Sequence, residues 1–274
     1  MKTFVHKILI IVLLLLTSVV QAKADDSLST DSQRQLLRDG LNAFDRAVEL
    51  ARQNADESRD LYQKAAAAFT ALADAGVRNP ALEYNLGNAY FRLGKPGRAI
   101  VHYRRGLRLD PTHTALNENL AYARNRVEPY IAPPATRQLR ERLFFWTNRA
   151  SAEARYRFTL WASVAGWAGL AVWLTYRSRP LLILSLLAIV FALANAGSVA
   201  WQLHEEAARP SAVIVDGRYT LRLGRGEGYD PALNQPLGPG VEVNILSERA
   251  DWAEIQLADG KTGWLPSRAL VRIE

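Results

Sequence analysis

Two uncharged apolar runs lie almost back to back in the second half of the chain, and they restrict its fold more than any other feature. Residues 158–176 and 181–203 are runs of 19 and 23 residues. At 1.5 Å per helical residue they reach roughly 28 and 34 Å, enough to cross a hydrocarbon core of about 30 Å. Only Arg177, Ser178, Arg179 and Pro180 separate them, so the two spans are expected as a tight antiparallel hairpin. Tyr156, Trp161, Tyr176 and Trp201 stand near the ends, where amphipathic rings favour the interface. Small residues recur at i,i+4, as Ala162 and Gly166 and then Ala188, Ala192, Ala196 and Ala200. Such ridges permit close helix packing in lipid, but alanine is also simply common in spans. Asn195, inside the second span, is expected to hydrogen-bond the first helix rather than serve transport.

The start of the chain adds a direction. Residues 1–24 read as an export signal: Lys2 and Lys7, an apolar stretch over 8–16 too short for a stable span, and Ala22-Lys23-Ala24 before Asp25. Residues 25–157 are then exported, the 177–180 loop is cytoplasmic and the C-terminal segment is outside. The arginines argue the other way. Arg140, Arg142, Arg149, Arg155 and Arg157 precede the first span, against Arg177 and Arg179 in the loop, and the positive-inside rule alone would invert the hairpin. The signal decides, because a translocated N-terminal segment forces the first span to run inward. Residues 129–157 then read as a basic linker, with 139–146 lying along the outer leaflet as an interfacial helix.

The net charge of +7 invites a nucleic-acid reading, but its location excludes one. Residues 25–128 carry 15 Lys+Arg against 14 Asp+Glu, and residues 209–274 carry 8 against 9. The excess sits in 137–179, with eight Arg against Glu141 and Glu153, where it meets lipid headgroups. The chain has no cysteine, which excludes disulfides, a thiol nucleophile and thiolate metal sites and fits an exported compartment.

Residues 25–128 carry a spaced pattern. Counting from Pro80 as the first position, Leu86, Gly87 and Tyr90 fall at 7, 8 and 11, and Ala99, Tyr103 and Pro111 at 20, 24 and 32. The pattern resembles the 34-residue helix-turn-helix unit of tetratricopeptide repeats. Glu83 and Gly106 depart from the usual Trp and Ala. A shift of 34 residues onward maps Asn85-Leu86-Gly87 onto Asn119-Leu120-Ala121, so 114–126 is expected as a capping first helix. A shift backward maps Ala99 onto Ala65 and Tyr103 onto Phe69, with 41–53 as that repeat's first helix and 53–58 as its turn. About two and a half repeats result, fewer than the three a self-sufficient solenoid wants. In this family ligands lie along the first helices, which makes Tyr84, Asn88, Phe91 and Arg92 the candidate partner-binding residues. Asn can pair with a peptide backbone and Arg with a carboxylate; for each, an ordinary solvated role is the alternative. Asn85 and Asn119 are assigned to repeat geometry.

From Ser211 the period becomes two. Residues 212–215, 220–223, 241–245, 252–257 and 261–264 read as short strands, with Asp259-Gly260 as a two-residue hairpin turn. Five or six strands in 209–274 suggest a small closed barrel. The order resembles bacterial Src-homology-3-like domains: Leu221-Arg222 before a Gly-rich loop, Pro239-Gly240 before a strand, Trp252, then the Gly263-Trp264-Leu265-Pro266 ending. The early loop reads Leu223-Gly224-Arg225-Gly226 where the family has Ser-Gly-Pro. Such domains bind short peptides or peptidoglycan, or act as spacers. Tyr219, Tyr229, Trp252 and Trp264 could form an aromatic groove; barrel core is the simpler role for Trp264, and Trp252 suits either.

The expected class is thus a multidomain chain: all-α tetratricopeptide helical repeats, a two-helix transmembrane hairpin, and a C-terminal all-β Src-homology-3-like barrel. Other signals lead nowhere. Gly260-Lys261-Thr262 imitates a phosphate loop, but Ile255 stands where its first Gly belongs. Gly224, Gly226 and Gly228 lack a following helix. His6, His102, His113 and His204 have no metal-ligand spacing. No catalytic residues, metal or cofactor are expected, and the chain is read as a non-enzyme.

The full order of segments resembles the E protein of the bacterial Bat aerotolerance operons. That resemblance implies an inner-membrane component with periplasmic domains, working beside von Willebrand A-type membrane proteins and a MoxR-type ATPase. Two functions follow: a scaffold that holds a partner on its repeats, or a cell-wall anchor whose barrel grips peptidoglycan. Membrane lipids are partners in both, and nucleic acid in neither.

Overall fold

The computed structural model describes residues 29–132 and 152–273. The export signal and the 139–146 segment lie outside the described residues. Helix starts follow the capping chemistry of the sequence. Ser29 caps α1 (Thr30–Leu50), Asn54 caps α2 (Ala55–Asp74) and Asn79 caps α3 (Pro80–Arg92), each side chain accepting from a main-chain N–H of the first turn. Pro80 and Pro96 occupy the first turns of α3 and α4 (Pro96–Leu109), where the missing N–H costs nothing. His113 caps α5 (Thr114–Arg124) through its ring, Leu116 N–H donating to Nδ1 at 3.3 Å.

The small-against-aromatic rule of the repeat is visible twice. In α3, Gly87 lies so close to the Tyr103 ring of α4 that no Cβ would fit, and Gly40 of α1 stands in the same way against Phe69 of α2. The backward register of 34 residues holds for Ala65 and Phe69, both fully buried, but not for the first helix. It begins at Thr30 rather than 41, and the turn falls at 51–54. Both helices of this upstream hairpin are longer, 21 and 20 residues against 13 and 14 for α3 and α4. The two unusual residues of the central repeat explain each other. Glu83 is 2% exposed and held at 2.8 Å from His102 Nδ1, and Gly106 leaves room for the Glu83 Cβ and for Leu116.

The C-terminal segment forms one antiparallel sheet of β1 (Ser211–Ile214), β2 (Glu242–Arg249), β3 (Trp252–Gln256), β4 (Thr262–Pro266) and β5 (Leu270–Arg272), in the order β4-β3-β2-β1-β5. It does not close into a barrel. The expected strand at 220–223 makes only isolated bridges, Tyr219 with Leu237 and Arg222 with Pro231 and Trp264, in a segment broken by glycines and prolines. Among the described residues the outer edge of β4 therefore pairs through the main chain with Arg222 alone. β5 was not anticipated; it is three residues long and pairs with β1. Asp259-Gly260 turns the chain as expected but not as a two-residue loop. Gly260 N–H donates to the Leu257 carbonyl at 3.0 Å, with Gly260 at φ 91°, the left-handed position ending a longer turn.

The sheet and the repeats share a core. β1 is apolar on both faces: Ala212 and Ile214 join the sheet's own core, while Val213 and Val215 pack with Ala99, Ile100, Tyr103 and Leu116 of the repeats. Gly97 of α4 lies against the β1 main chain at Ile214 and Val215. Ion pairs rim this junction: Arg98 with Asp216 at 2.7 Å, Arg124 with Glu242 at 2.6 Å, Arg104 with Glu242 at 3.5 Å and Arg218 with Glu128 at 3.3 Å. Arg105 and Arg108 donate to the carbonyls of Arg272 and Ile273, covering the β5 edge. The short repeat array is thus completed by the sheet, in place of a third repeat.

The two apolar runs form α6 (Ala152–Tyr176) and α7 (Arg179–Ala208), packed antiparallel. Only 6% of the most apolar window of α6 and 11% of that of α7 is buried, unlike core helices of a water-soluble domain. Both are long and apolar enough to cross a membrane. Gly166 and Gly169 of α6 meet Ile189 and Ser185 of α7, and Ala192 is buried, but Ala196 and Ala200 of the expected ridge are exposed. Asn195 differs from expectation too: its Nδ2 donates to the Phe191 carbonyl of its own helix at 3.1 Å, since a short amide side chain reaches the carbonyl four residues back. The polar link between helices is instead Arg155 Nη2 donating to Ser198 Oγ at 2.7 Å.

Candidate partner-binding site

Tyr84, Asn88, Phe91 and Arg92 share one stripe of α3, at spacings of four, three and one, and α5 runs beside it. Tyr84 stacks on His113 with ring centroids 6.0 Å apart. Phe91 lies 5.4 Å from the Tyr122 ring. The Arg126 guanidinium covers both, 5.5 Å from Phe91 and 5.0 Å from Tyr122, and donates to the Tyr122 hydroxyl at 2.7 Å. Arg92 is exposed. The stripe is therefore a row of π faces carrying two guanidiniums, a surface able to donate to peptide carbonyls and carboxylates.

Asn88 has a role the sequence reading did not give it. Its Oδ1 accepts from the Tyr103 hydroxyl at 2.8 Å and from Asn119 Nδ2 at 2.7 Å. It thus ties three helices together, as expected of Asn119, and the two accepted bonds fix the amide so that its N–H₂ group can serve a ligand. The Tyr103 phenol is pushed up from its ordinary value, first by burial and then by Tyr84, against smaller opposite effects of Asn119 and Arg92. It stays a neutral donor. His113, Tyr122 and Arg126 were not singled out from sequence. Their signal was present: α5 repeats the first-helix phase of α3, so Tyr122 falls four residues beyond the equivalent of Tyr84.

The four aromatic candidates of the sheet do not assemble into one groove. Tyr219 bridges Leu237 and packs on the sheet core. Trp252 and Trp264 are half-buried on the outer face of β3 and β4, since Ala253, Ile255, Gly263 and Leu265 take the inner face. The core role expected for Trp264 is thereby replaced: the Arg225 guanidinium lies over its ring at 5.5 Å. Tyr229 is 55% exposed, packs against Gly224, and its carbonyl accepts from Arg222 Nη1 at 2.8 Å. Tyr229 and Trp264 therefore share a corner built by Arg222 and Arg225, while Trp252 stands farther along β3 and Tyr219 belongs to the core. Among the described residues no group of three or more His, Asp or Glu is arranged to hold a metal ion.

Residues 80–113 match the tetratricopeptide repeat family, a module through which proteins bind other proteins. The match covers α3, α4 and the turn into α5. No curated protein and no solved structure matches the chain.

Proposed function

We propose that this protein is a non-enzymatic scaffold of a bacterial inner membrane, holding a partner's periplasmic segment on the α3–α5 stripe. One observation carries the reading. The sheet occupies the second-helix side of the repeats through Gly97, Val213 and Val215, while the first-helix stripe stays open with its aromatic and arginine side chains. Tyr84, Asn88 and Phe91 are half-buried while Arg92, Tyr122 and Arg126 are exposed, so rings and guanidiniums remain open to a partner beyond what internal packing uses. Two exposed apolar helices suit a membrane anchor, and their antiparallel packing puts residues 152 and 208 at one end, toward the head of repeats and sheet. The export signal argues for a periplasmic head. The segment order argues for a Bat-type assembly, with von Willebrand A-type membrane proteins as partners and a MoxR-type ATPase acting on the complex. Attachment through both stripe and hairpin lets weak individual contacts hold.

The test is affinity capture of the tagged full-length protein from gently solubilised membranes, with mass spectrometry of what co-purifies. A von Willebrand A-type membrane protein is expected in near-stoichiometric amount. It is expected to disappear when Asn88→Asp is combined with Arg92→Glu. The carboxylate introduced by Asn88→Asp keeps an acceptor for Tyr103 and Asn119, so loss of capture is not loss of fold. Unchanged capture by that variant removes the stripe from the reading. A second function, a peptidoglycan anchor, is favoured by the exposed Tyr229 beside Arg225 and Trp264. Recovery of muropeptides or wall enzymes without a von Willebrand A-type partner would move the conclusion there.

A further inference from the structure

On the other side of α3 a cleft of about 820 Å³ opens between α2, α4 and the sheet. Its floor is apolar, with Leu86, Val101 and Val215, and its wall carries Arg98, Arg105 and Arg108 along α4, with Arg78 across the mouth. The carboxylates in its lining are Asp74 and Glu83, and Glu83 is already held by His102. Arg98 is paired with Asp216 and also sits over the Tyr90 ring. Arg105 donates from Nη2 to a neutral main-chain carbonyl, and its buried Nε has no hydrogen-bond partner among the described residues. A buried guanidinium N–H left unmade is expensive, and an incoming acceptor is the simplest way to satisfy it.

The shape of the cleft selects the acceptor. Arg98 to Arg108 is ten residues of helix, roughly 15 Å, the length of four or five residues of extended chain at about 3.3 Å each. Beside the arginines Tyr90, Leu109 and Val271 offer apolar surface, so an extended segment alternating acidic and apolar side chains meets both kinds of site. A compact anion would leave most of the volume empty. We infer that this cleft, formed jointly by the repeats and the sheet, is a second docking site, for an extended acidic peptide segment of a partner. It is independent of the α3–α5 stripe, whose residues lie elsewhere on α3.

The test uses the full chain in detergent micelles and a fluorescein-labelled hexapeptide alternating glutamate with leucine, read by fluorescence anisotropy. The expected result is binding about tenfold tighter than that of the glutamine counterpart, weakening as salt screens the charges. Arg78→Glu, at an exposed position, and Arg105→Ala are each expected to weaken binding at least fivefold or so. Arg59→Glu, an equal charge change on exposed α2 surface, is expected to leave it as in the wild type. Because Arg105→Ala also removes a bond to β5, far-UV circular dichroism accompanies it, and Arg78→Glu carries the conclusion if that variant unfolds. Equal binding of the glutamine peptide, or wild-type binding by a folded Arg78→Glu, overturns the inference. So does tripolyphosphate binding more tightly than the peptide, which would make the cleft an inorganic-anion site.

Discussion

Gly97 is the residue on which the union of repeats and sheet most directly depends. A Cβ there would stand 2.7 Å from Val215 Cα and 2.8 Å from the Val215 carbonyl oxygen, and closer still to the Ile214 carbonyl oxygen. Carbon atoms rest about 3.5–4.0 Å apart, so β1 must retreat by roughly 1 Å. Main-chain atoms inside a ladder cannot swing aside as a side chain does. A gap of about 0.5–1 Å forfeits a quarter to a half of the dispersion attraction across it, here between Val213 and Val215 and the repeat core. Overpacking of this kind costs about 1–3 kcal/mol, and rigid neighbours place Gly97→Ala at the upper end. Gly→Ala in a helix returns up to about 1 kcal/mol, leaving a net loss near 2 kcal/mol. For a unit of this size that is a fall in Tm of roughly 4–8 °C. The assay is thermal denaturation of the full chain in detergent, followed by near-ultraviolet circular dichroism, with Gly106→Ala as comparison. At Gly106 the nearest obstacle is the end of the flexible Leu116 side chain, at 2.7 Å, so a smaller fall is expected. If Gly97→Ala melts at or above the wild-type temperature, the sheet does not rest on α4 as described.

Two further outcomes follow from the junction and the repeat network. Glu242→Gln keeps the shape of the residue but removes the charge facing Arg124 and Arg104; these groups are partly exposed, so a loss of about 1 kcal/mol is expected. The stability of the wild type should then fall more steeply with added salt than that of the variant, measured by urea denaturation. Tyr103, whose phenol is raised by burial, contributes stability that is complete below the ordinary tyrosine range and is lost as the pH climbs through its raised folded value. Tyr103→Phe is expected to cost about 1 kcal/mol at neutral pH for the bond to Asn88 and to flatten the alkaline arm of the stability profile; an unchanged alkaline arm would count against a buried phenol.

How far the sequence could be read depended on the range of the interactions involved. The central repeat was legible because its signals are local: Pro at a helix start, Gly opposite an aromatic, a fixed spacing between them. The hairpin was legible from length and charge. The upstream repeat was found by its buried Ala65 and Phe69 but given the wrong first helix, because longer helices break a fixed period while preserving the Gly40–Phe69 contact. The barrel failed to close for a non-local reason. Strand 241–245 announces itself by alternation and 212–215 by a short apolar run, but closure needs a partner for the β4 edge, and 220–223 supplies one bridge. Phase puts Asn88 on the same α3 stripe as Tyr84 and Phe91, but its bonds to Tyr103 and Asn119 join residues 15 and 31 positions away, which no local pattern records.

One signal for the docked arrangement was present and went unread. Residues 212–215 are apolar without alternation, the pattern of a strand covered on both faces rather than of one at a solvent-facing sheet. Ala212 and Ile214 serve the sheet, so Val213 and Val215 require a second neighbour, and the repeat array, short of a third repeat, has an unfilled face. Each part lacks what the other provides. The consequence reaches function. Had the sheet hung separately from the hairpin, repeats and sheet would recruit independently. Joined through Gly97 and the shared core, they form one head that presents the α3–α5 stripe on one side and the arginine-walled cleft on the other. A partner that engages both must wrap α3, and loss of the junction would remove the cleft while leaving the stripe. Gly97→Ala, which pushes β1 back from α4, is therefore expected to weaken peptide binding in the cleft while leaving capture by the stripe as in the wild type.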